Sequence, residues 1–248
     1  MISAEEIKKA LQEMDITSGY KEENRMMVFL DLITALNLKT SITGTKEREE
    51  ILKRHFFDCL SPYSFFHSLA IEKRRPSLLD IGTGGGLPGI LLAIFFEELR
   101  VSLLDSKRKN TLFLEEVIKT LDLQNATVIS GRAEELAHEN RYRENFYFVT
   151  ARAIAVTSVI AELSLPFCKP GGRVMLYKSR KVFEEVKDAT DIINKLGGQI
   201  EEIKEIRPPY LDEYRALLVI RKVSPSLYKY PRKYAKIIKT SLIDQKGL

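Results

Sequence analysis

The chain of 248 residues has no tryptophan, three histidines and two cysteines. Cys59 and Cys168 supply neither a disulfide framework nor metal-ligand spacing, so both read as reduced thiols and the chain as cytoplasmic. No cluster of histidine, cysteine and carboxylate has ligand spacing, and no metal is expected. Long apolar runs are missing too. The stretch from Ile90 to Phe96 is too short to span a bilayer, so no membrane partner is expected. No charged-then-apolar leader opens the chain, since Glu5, Glu6, Lys8 and Lys9 arrive at once. What remains is 44% hydrophobic and 29% charged, ordinary for a globular protein of one domain with appendages.

The net charge of +5 is unevenly placed. Arg221, Lys222, Lys229, Arg232, Lys233, Lys236, Lys239 and Lys246 face only Asp244 among the last residues. A basic tail of this kind suits a polyanion, or is simply a solvated end. Its last 25 residues read as loosely ordered.

Five glycines are concentrated in Leu79-Asp80-Ile81-Gly82-Thr83-Gly84-Gly85-Gly86-Leu87-Pro88-Gly89. Leu78, Leu79 and Ile81 predict a short buried strand, and Pro88 suits the first turn of a helix over the apolar run that follows. Glycines here let the backbone approach a ligand, with free N–H groups at the helix N-terminus. Two spacings coexist. Gly84, Gly86 and Gly89 fit the G-x-G-x-x-G of dinucleotide folds. Asp80 with Gly82, Gly84 and Gly86 fits the acidic-x-G-x-G-x-G of S-adenosylmethionine methyltransferases, where an acid beside the turn would serve the cofactor's ammonium.

Helical patterns fill the chain before this turn. Residues 2–20 place Ile7, Leu11 and Met14 on one face. A second helix, 21–38, turns Met27, Leu30, Ile33 and Leu36 or their neighbours inward, and 40–46 is a polar break. A third, 47–60, carries Ile51, Leu52, Phe56 and Leu60 in one stripe. His55 and Asp58 lie three apart there and share a face, either as a local pair or as site residues. A dinucleotide fold more often begins with its first strand, so this placement favours the methyltransferase reading. After the turn, strands alternate with helices. Strands are expected at 100–104, 126–129, 146–150, 173–178, 199–206 and 215–222, with Pro170-Gly171-Gly172 turning the chain into the fifth. The expected fold is α/β: a seven-stranded Rossmann-like class I methyltransferase sheet with an N-terminal helical segment. Its parts are the helical segment 1–75, the core 76–223 and the basic tail 224–248.

Ligands of such sheets bind at the carboxyl ends of the strands. Asp105 ends strand two, where a carboxylate accepts from ribose hydroxyls of either NAD or S-adenosylmethionine. Ala133-Glu134, after strand three, lies where methyltransferase sheets flank the adenine, though Glu134 also suits a helix N-terminus. The Asn/Asp-Pro-Pro-aromatic tetrad of exocyclic-amine methylation is absent, with Thr150-Ala151-Arg152-Ala153 in its place. So is the Pro-Cys of cytosine carbon methylation, since Phe167 precedes Cys168. A ring nitrogen with a free lone pair needs neither device. Guanine N7 is one, and an arginine near strand four could bond O6 and leave N7 open. Orientation and electrostatics would then carry the catalysis.

The chain resembles the glucose-inhibited division protein B family, guanine-N7 methyltransferases of bacterial small-subunit (16S) ribosomal RNA. The shared stretches are Arg54-His55-Phe56-Phe57-Asp58, the glycine turn, Leu103-Leu104-Asp105-Ser106 and Gly131-Arg132-Ala133-Glu134-Glu135. Thr150-Ala151-Arg152-Ala153, Leu176-Tyr177-Lys178, Arg215-Ala216-Leu217-Leu218-Val219-Ile220 and Tyr230-Pro231-Arg232-Lys233 complete the set, in the family's order. The resemblance implies cofactor contacts at Gly82, Leu87, Ala133, Glu134 and Arg152. Gly84 and Gly86 join them from the glycine motif, and Asp105 from the strand-two argument. It further implies that Arg132, Lys178 and Arg215 face the RNA or the guanine. Arg152, Lys178 and Arg215, with His55 and Asp58, are the candidate catalytic and orienting residues. The expected cofactor is S-adenosylmethionine, and the expected partner is 16S ribosomal RNA or the small subunit, met by a monomeric chain. Departures from the family pattern are Leu36-Asn37 ahead of Ser41-Ile42-Thr43, and Cys59 where a serine is usual. The rivals are a non-catalytic RNA-binding module, a methyltransferase of another RNA and a nicotinamide oxidoreductase, against which Asp80 and the Ala133-Glu134 loop argue.

Overall fold

The computed structural model describes residues 2–39, 44–71 and 74–244. Its first helix, α1 (Ala4–Glu13), opens with a reciprocal cap. Ser3 Oγ accepts the Glu6 N–H at 3.2 Å while Glu6 Oε2 accepts that of Ser3 at 2.8 Å. In α2 (Tyr20–Lys39) the buried stripe is Met26, Phe29, Leu30 and Ile33, so Met27 and Leu36 are only partly covered. Residues 40–43, including Ser41-Ile42-Thr43, lie outside the described residues.

The expected helix at 47–60 is three pieces: α3 (Arg48–Ile51), a π-helical turn (Leu52–Phe56) and α4 (Phe57–Leu60). Ile51, Leu52, Phe56 and Leu60 are all buried, with Phe56 stacked on Phe29 at 5.1 Å between centroids. The widened turn carries His55, and such insertions are frequent at functional sites. Helix α5 (Tyr63–Ile71) then leads to the sheet.

The remaining elements in order are β1 (Ser77–Ile81), α6 (Gly89–Phe95), β2 (Arg100–Asp105), α7 (Arg108–Thr120), β3 (Ala126–Ser130) and α8 (Ala133–Leu136). They continue with β4 (Phe146–Arg152), α9 (Thr157–Ser164), β5 (Cys168–Ser179), α10 (Val182–Lys195), β6 (Gly198–Ile206), β7 (Arg215–Lys222) and α11 (Tyr234–Asp244). The sheet order is β3-β2-β1-β4-β5-β7-β6, with β7 antiparallel to both its neighbours and the other pairs parallel. The seven expected strands are thus present. Strand five begins earlier than expected, because Pro170-Gly171-Gly172 form a bulge inside it. Phe146 pairs with Cys168, and the next partner of β4 is Arg173.

Both faces of the sheet are covered, which is why its inner strands read as continuous apolar runs. Leu78, Leu103, Phe148, Met175, Leu217 and Val219 pack beneath α1 to α7. Leu79, Leu104, Val149, Leu176, Leu218 and Ile220 pack beneath α8 to α11. Strand order reverses at β1, so the carboxyl ends of β1, β2 and β4 open a crevice. No described helix is long and apolar enough to cross a membrane.

Within its described part the tail is not loose, a correction to the sequence expectation. Lys222 is fully buried, and its Nζ donates to the carbonyls of Leu165 (3.1 Å) and Leu196 (2.8 Å) and stands 3.3 Å from Glu144 Oε1. Arg232 grips buried Glu162 through two nitrogens, Nε to Oε1 at 2.9 Å and Nη2 to Oε2 at 2.6 Å. Arg143 donates to the carbonyls of Tyr230, Ser226 and Leu227. Two basic residues counted for a polyanion therefore hold the fold instead.

Asp80 also plays another part than expected. It is fully buried, and Oδ2 accepts from Thr83 Oγ1 (2.6 Å) and the Gly89 N–H (3.0 Å), while Oδ1 accepts from Thr150 Oγ1 (2.9 Å). It anchors the turn and α6 and is not among the residues lining either cavity described below. Burial pushes its pKa up to about 6, against the opposing effect of these three hydrogen bonds. A raised carboxylate makes the native state bind the proton first, so stability from this group grows as pH falls from about 6 towards 4. In Asp80→Asn that slope should vanish, since the Thr150 hydroxyl can turn to accept. The variant's urea stability relative to wild type should then be more favourable at neutral pH than at pH 4 by up to about 3 kcal/mol. An unchanged difference across that range would contradict the assignment.

Candidate active site

Two cavities open where the strands end. The larger, about 570 Å³, is lined by Gly82, Gly84, Asp105, Arg132, Ala133 and Glu134, with Asn110 and Tyr234 among its other walls. Gly82 takes φ +61°, and a Cβ there would lie 2.7 Å from Ile154 Cδ1. Its lack of a side chain is thus needed for the turn and for Ile154 packed directly against it. Asp105 is held by its own loop: Oδ2 accepts the Gly84 N–H at 2.9 Å and Oδ1 that of Lys107 at 2.8 Å. Each oxygen keeps a lone pair for a further donor. Glu134 has a side chain 12% exposed and stands at the start of α8. Asn110 Oδ1 is buried without a hydrogen-bond partner. These groups fit an adenosine-bearing cofactor: acceptors for ribose hydroxyls, an acid and a backbone N–H near the ring edge, and an acceptor awaiting a donor.

The smaller cavity, about 310 Å³, is lined by Asp58, Arg152, Tyr177, Lys178, Glu185 and Arg215, and it shares Ala153 with the larger. Ala153 sits at φ +56°, a left-handed conformation that costs a residue with a Cβ about 1–3 kcal/mol and recurs at functional sites. Arg152, at the end of β4, is tied three ways. Nε donates to Asp58 Oδ2 at 2.8 Å, and Nη2 donates to His55 Nδ1 at 2.9 Å and to the Arg54 carbonyl at 3.2 Å. The shared face of His55 and Asp58 therefore exists, and its purpose is to hold this guanidinium. The side chains of Arg152 and Asp58 are 16% and 4% exposed. Removing one partner of so buried a pair leaves a bare charge, at a cost of about 3–5 kcal/mol.

Lys178 Nζ donates to Glu185 Oε2 (2.7 Å) and the Ala155 carbonyl (3.0 Å), and burial lowers its pKa against the pull of Glu185. Glu185 Oε2 also accepts from the N–H and hydroxyl of Thr157, so it caps α9 from α10. Neither thiol is a nucleophile. Burial pushes Cys168 up to about 12, and fully buried Cys59 higher still. The Cys59 carbonyl accepts from Tyr177 Oη at 2.9 Å, fixing the cavity floor to α4.

The cofactor-side candidates thus divide. Gly82, Gly84, Asp105, Ala133 and Glu134 share one cavity, with Arg132. Gly86 and Leu87 do not line it; Leu87 is buried in the core, and a Cβ at Gly86 would meet Ile90 and Leu114. Arg152 lines the neighbouring cavity, one residue from the shared Ala153. Asn110, Ile154 and Tyr234 were missed. The neighbouring Tyr230-Pro231-Arg232-Lys233 was the one available signal for Tyr234.

The family model GidB, described as rRNA small subunit methyltransferase G, matches residues 22–211. The chain belongs to this family. Among GidB-type relatives, the "Ribosomal RNA small subunit methyltransferase G" of Lachnoclostridium phytofermentans is 41% identical over 233 residues, 94% of each chain. That of Alkaliphilus metalliredigens is 36% identical over 227 residues, 92% of this chain and 93% of the relative. A solved SAM-dependent methyltransferase from Aquifex aeolicus shares the fold at TM-score 0.50 and 16% identity, over 70% of this chain and 93% of that one. The resemblance read from the sequence is confirmed, and the rival readings gain no support from the GidB match.

Asp105 at the cavity wall gives a direct test. Calorimetry should find S-adenosylmethionine bound and NAD not. Asp105→Ala should weaken binding by about 1.5–3 kcal/mol, the worth of hydrogen bonds to a charged acceptor. Saturable NAD binding at the same site would refute the cofactor assignment.

Proposed function

We propose that the chain methylates N7 of a guanine in small-subunit (16S) ribosomal RNA, using S-adenosylmethionine, with the larger cavity for the cofactor and the smaller for the base. The observation that carries this reading is the junction of the two cavities at Ala153. Gly82, Gly84, Asp105, Ala133 and Glu134 would hold the cofactor, which supplies an electrophilic methyl on a sulfonium. Family membership supports the substrate class, and the side chains support a ring nitrogen as acceptor. Glu185 is committed to Lys178 and one oxygen of Asp58 to Arg152, and the thiols are buried, so the small cavity supplies orientation and charge. N7 needs no proton removed.

Arg152 presents fixed, planar donors that suit O6 and leave N7 uncovered. Its anchors Asp58, His55 and the Arg54 carbonyl come from the N-terminal helices, so that segment orients the site across the sheet edge. Exposed Lys229, Lys233 and Lys236, with Arg132 beside the cofactor cavity, supply charge for phosphates.

Arg152→Ala should cut single-turnover methyl transfer by about a hundredfold or more, as misplacement does in an orientation-driven reaction. RNA affinity should fall far less, since phosphate contacts are spread over the surface. Lysine at this position should rescue poorly, because a point charge lacks the fork. Thermal melting on the same samples separates this from loss of the ion pair. A folded Arg152→Ala protein with wild-type transfer rate, or a methyl mapped to another atom, would refute the proposal.

A further inference from the structure

We propose that Asp58 reads the Watson–Crick edge of the acceptor guanine, accepting its N1–H and N2–H through Oδ1; this rests on the assignment of the smaller cavity to the base. Asp58 lines that cavity and is 3% exposed. Only Oδ2 is bonded to Arg152. Oδ1 is the one carboxylate oxygen, among the described residues, that is buried with no hydrogen-bond partner. The Arg215 Nε faces it at 3.6 Å, beyond hydrogen-bond range. The Arg215 side chain is 26% exposed and lines the same cavity, and its Nη1 donates only to the neighbouring Tyr214 carbonyl, at 3.3 Å.

A buried carboxylate oxygen that has an ion-pair neighbour but no hydrogen bond is costly and calls for a donor. The cations already lining the cavity cannot all be that donor. Arg152 is held by Oδ2, and Lys178 is held by Glu185 and Ala155. Arg215 remains, and it is short of contact. Guanine presents an acceptor, O6, next to two donors, N1–H and the N2 amine. A guanidinium beside an open carboxylate oxygen is complementary to that edge, as bases drawn into a pocket are commonly read. Adenine reverses the first two groups and would set its N1 lone pair against the carboxylate. Arg215 swinging aside from Asp58 would uncover Oδ1 as the base enters, leaving O6 to Arg152.

The same contact favours the reaction. The N7 lone pair forms the new bond to carbon, the carbon–sulfur bond breaks with its electrons returning to sulfur, and the positive charge passes to the base. A cationic purine beside Arg152 and Arg215 would otherwise be repelled. Its N1–H and N2–H become more acidic as charge arrives, so their hydrogen bonds to Asp58 strengthen towards the transition state. Asp58 would act there as a specificity residue in contact with substrate, besides positioning Arg152.

The test compares small-subunit RNA carrying guanine, inosine (no N2 amine) or 2,6-diaminopurine (no O6 or N1–H) at the methylated position. Single-turnover rates over RNA concentration give the ratio of kcat/KM values. Wild-type protein should favour guanine over each analogue by about tenfold or more. In Asp58→Asn, transfer to guanine should slow and the guanine-to-inosine ratio should fall towards one. A wild-type ratio within twofold for inosine overturns the proposal, and that comparison needs no variant to fold. A folded Asp58→Asn that slows all three RNAs equally also overturns it, leaving Asp58 a support for Arg152. Wild-type protein that methylates no guanine at N7 would refute the base-cavity assignment itself, and the proposal with it.

Discussion

A carboxylate shut away from water holds the centre of this fold. Asp80 sits on the strand where the sheet order reverses, and its three hydrogen bonds reach β4, the glycine turn and the start of α6. Burial alone would favour the protonated acid, so these donors are what make the site tolerable to a charge. Both cavities depend on the result. The turn it secures forms one wall of the cofactor site, and the strand it bonds through Thr150 ends two residues later in Arg152.

A second buried charge joins the two halves of the chain. Asp58 belongs to the N-terminal helices and Arg152 to the sheet, and neither side chain has a comparable partner within its own element. Such a pair adds little net stability, but it ties the position of Arg152 to the docking of the helices. The N-terminal segment is thereby part of the site and not merely a cover for the sheet.

What could be read in advance was what is encoded locally. The β1-turn-α6 unit, the strand ends at Asp105 and Arg152, and the paired His55 and Asp58 all follow from short-range pattern. The π-helical turn had no such signature, since Leu52, Phe56 and Leu60 keep the four-residue spacing of an ordinary helix, while the structure buries Phe57, Asp58 and Cys59 as well. Lys222 and Arg232 read as solvated charges because their partners, Glu144 and Glu162, are remote in sequence. The structural work of Asp80 was hidden for a related reason. The glycine pattern shows that an acid stands beside the turn, but the Thr83 and Thr150 hydroxyls decide which way it faces.

The placement of Tyr234 bears on when the protein becomes competent. It begins α11, after all seven strands, and it walls the larger cavity because Arg232 is fastened to Glu162. On a growing chain the sheet, the glycine turn and Asp105 are all made before this wall exists. The cofactor cavity is therefore assembled from both ends of the sheet's chain order, its glycine turn early and its Tyr234 wall late.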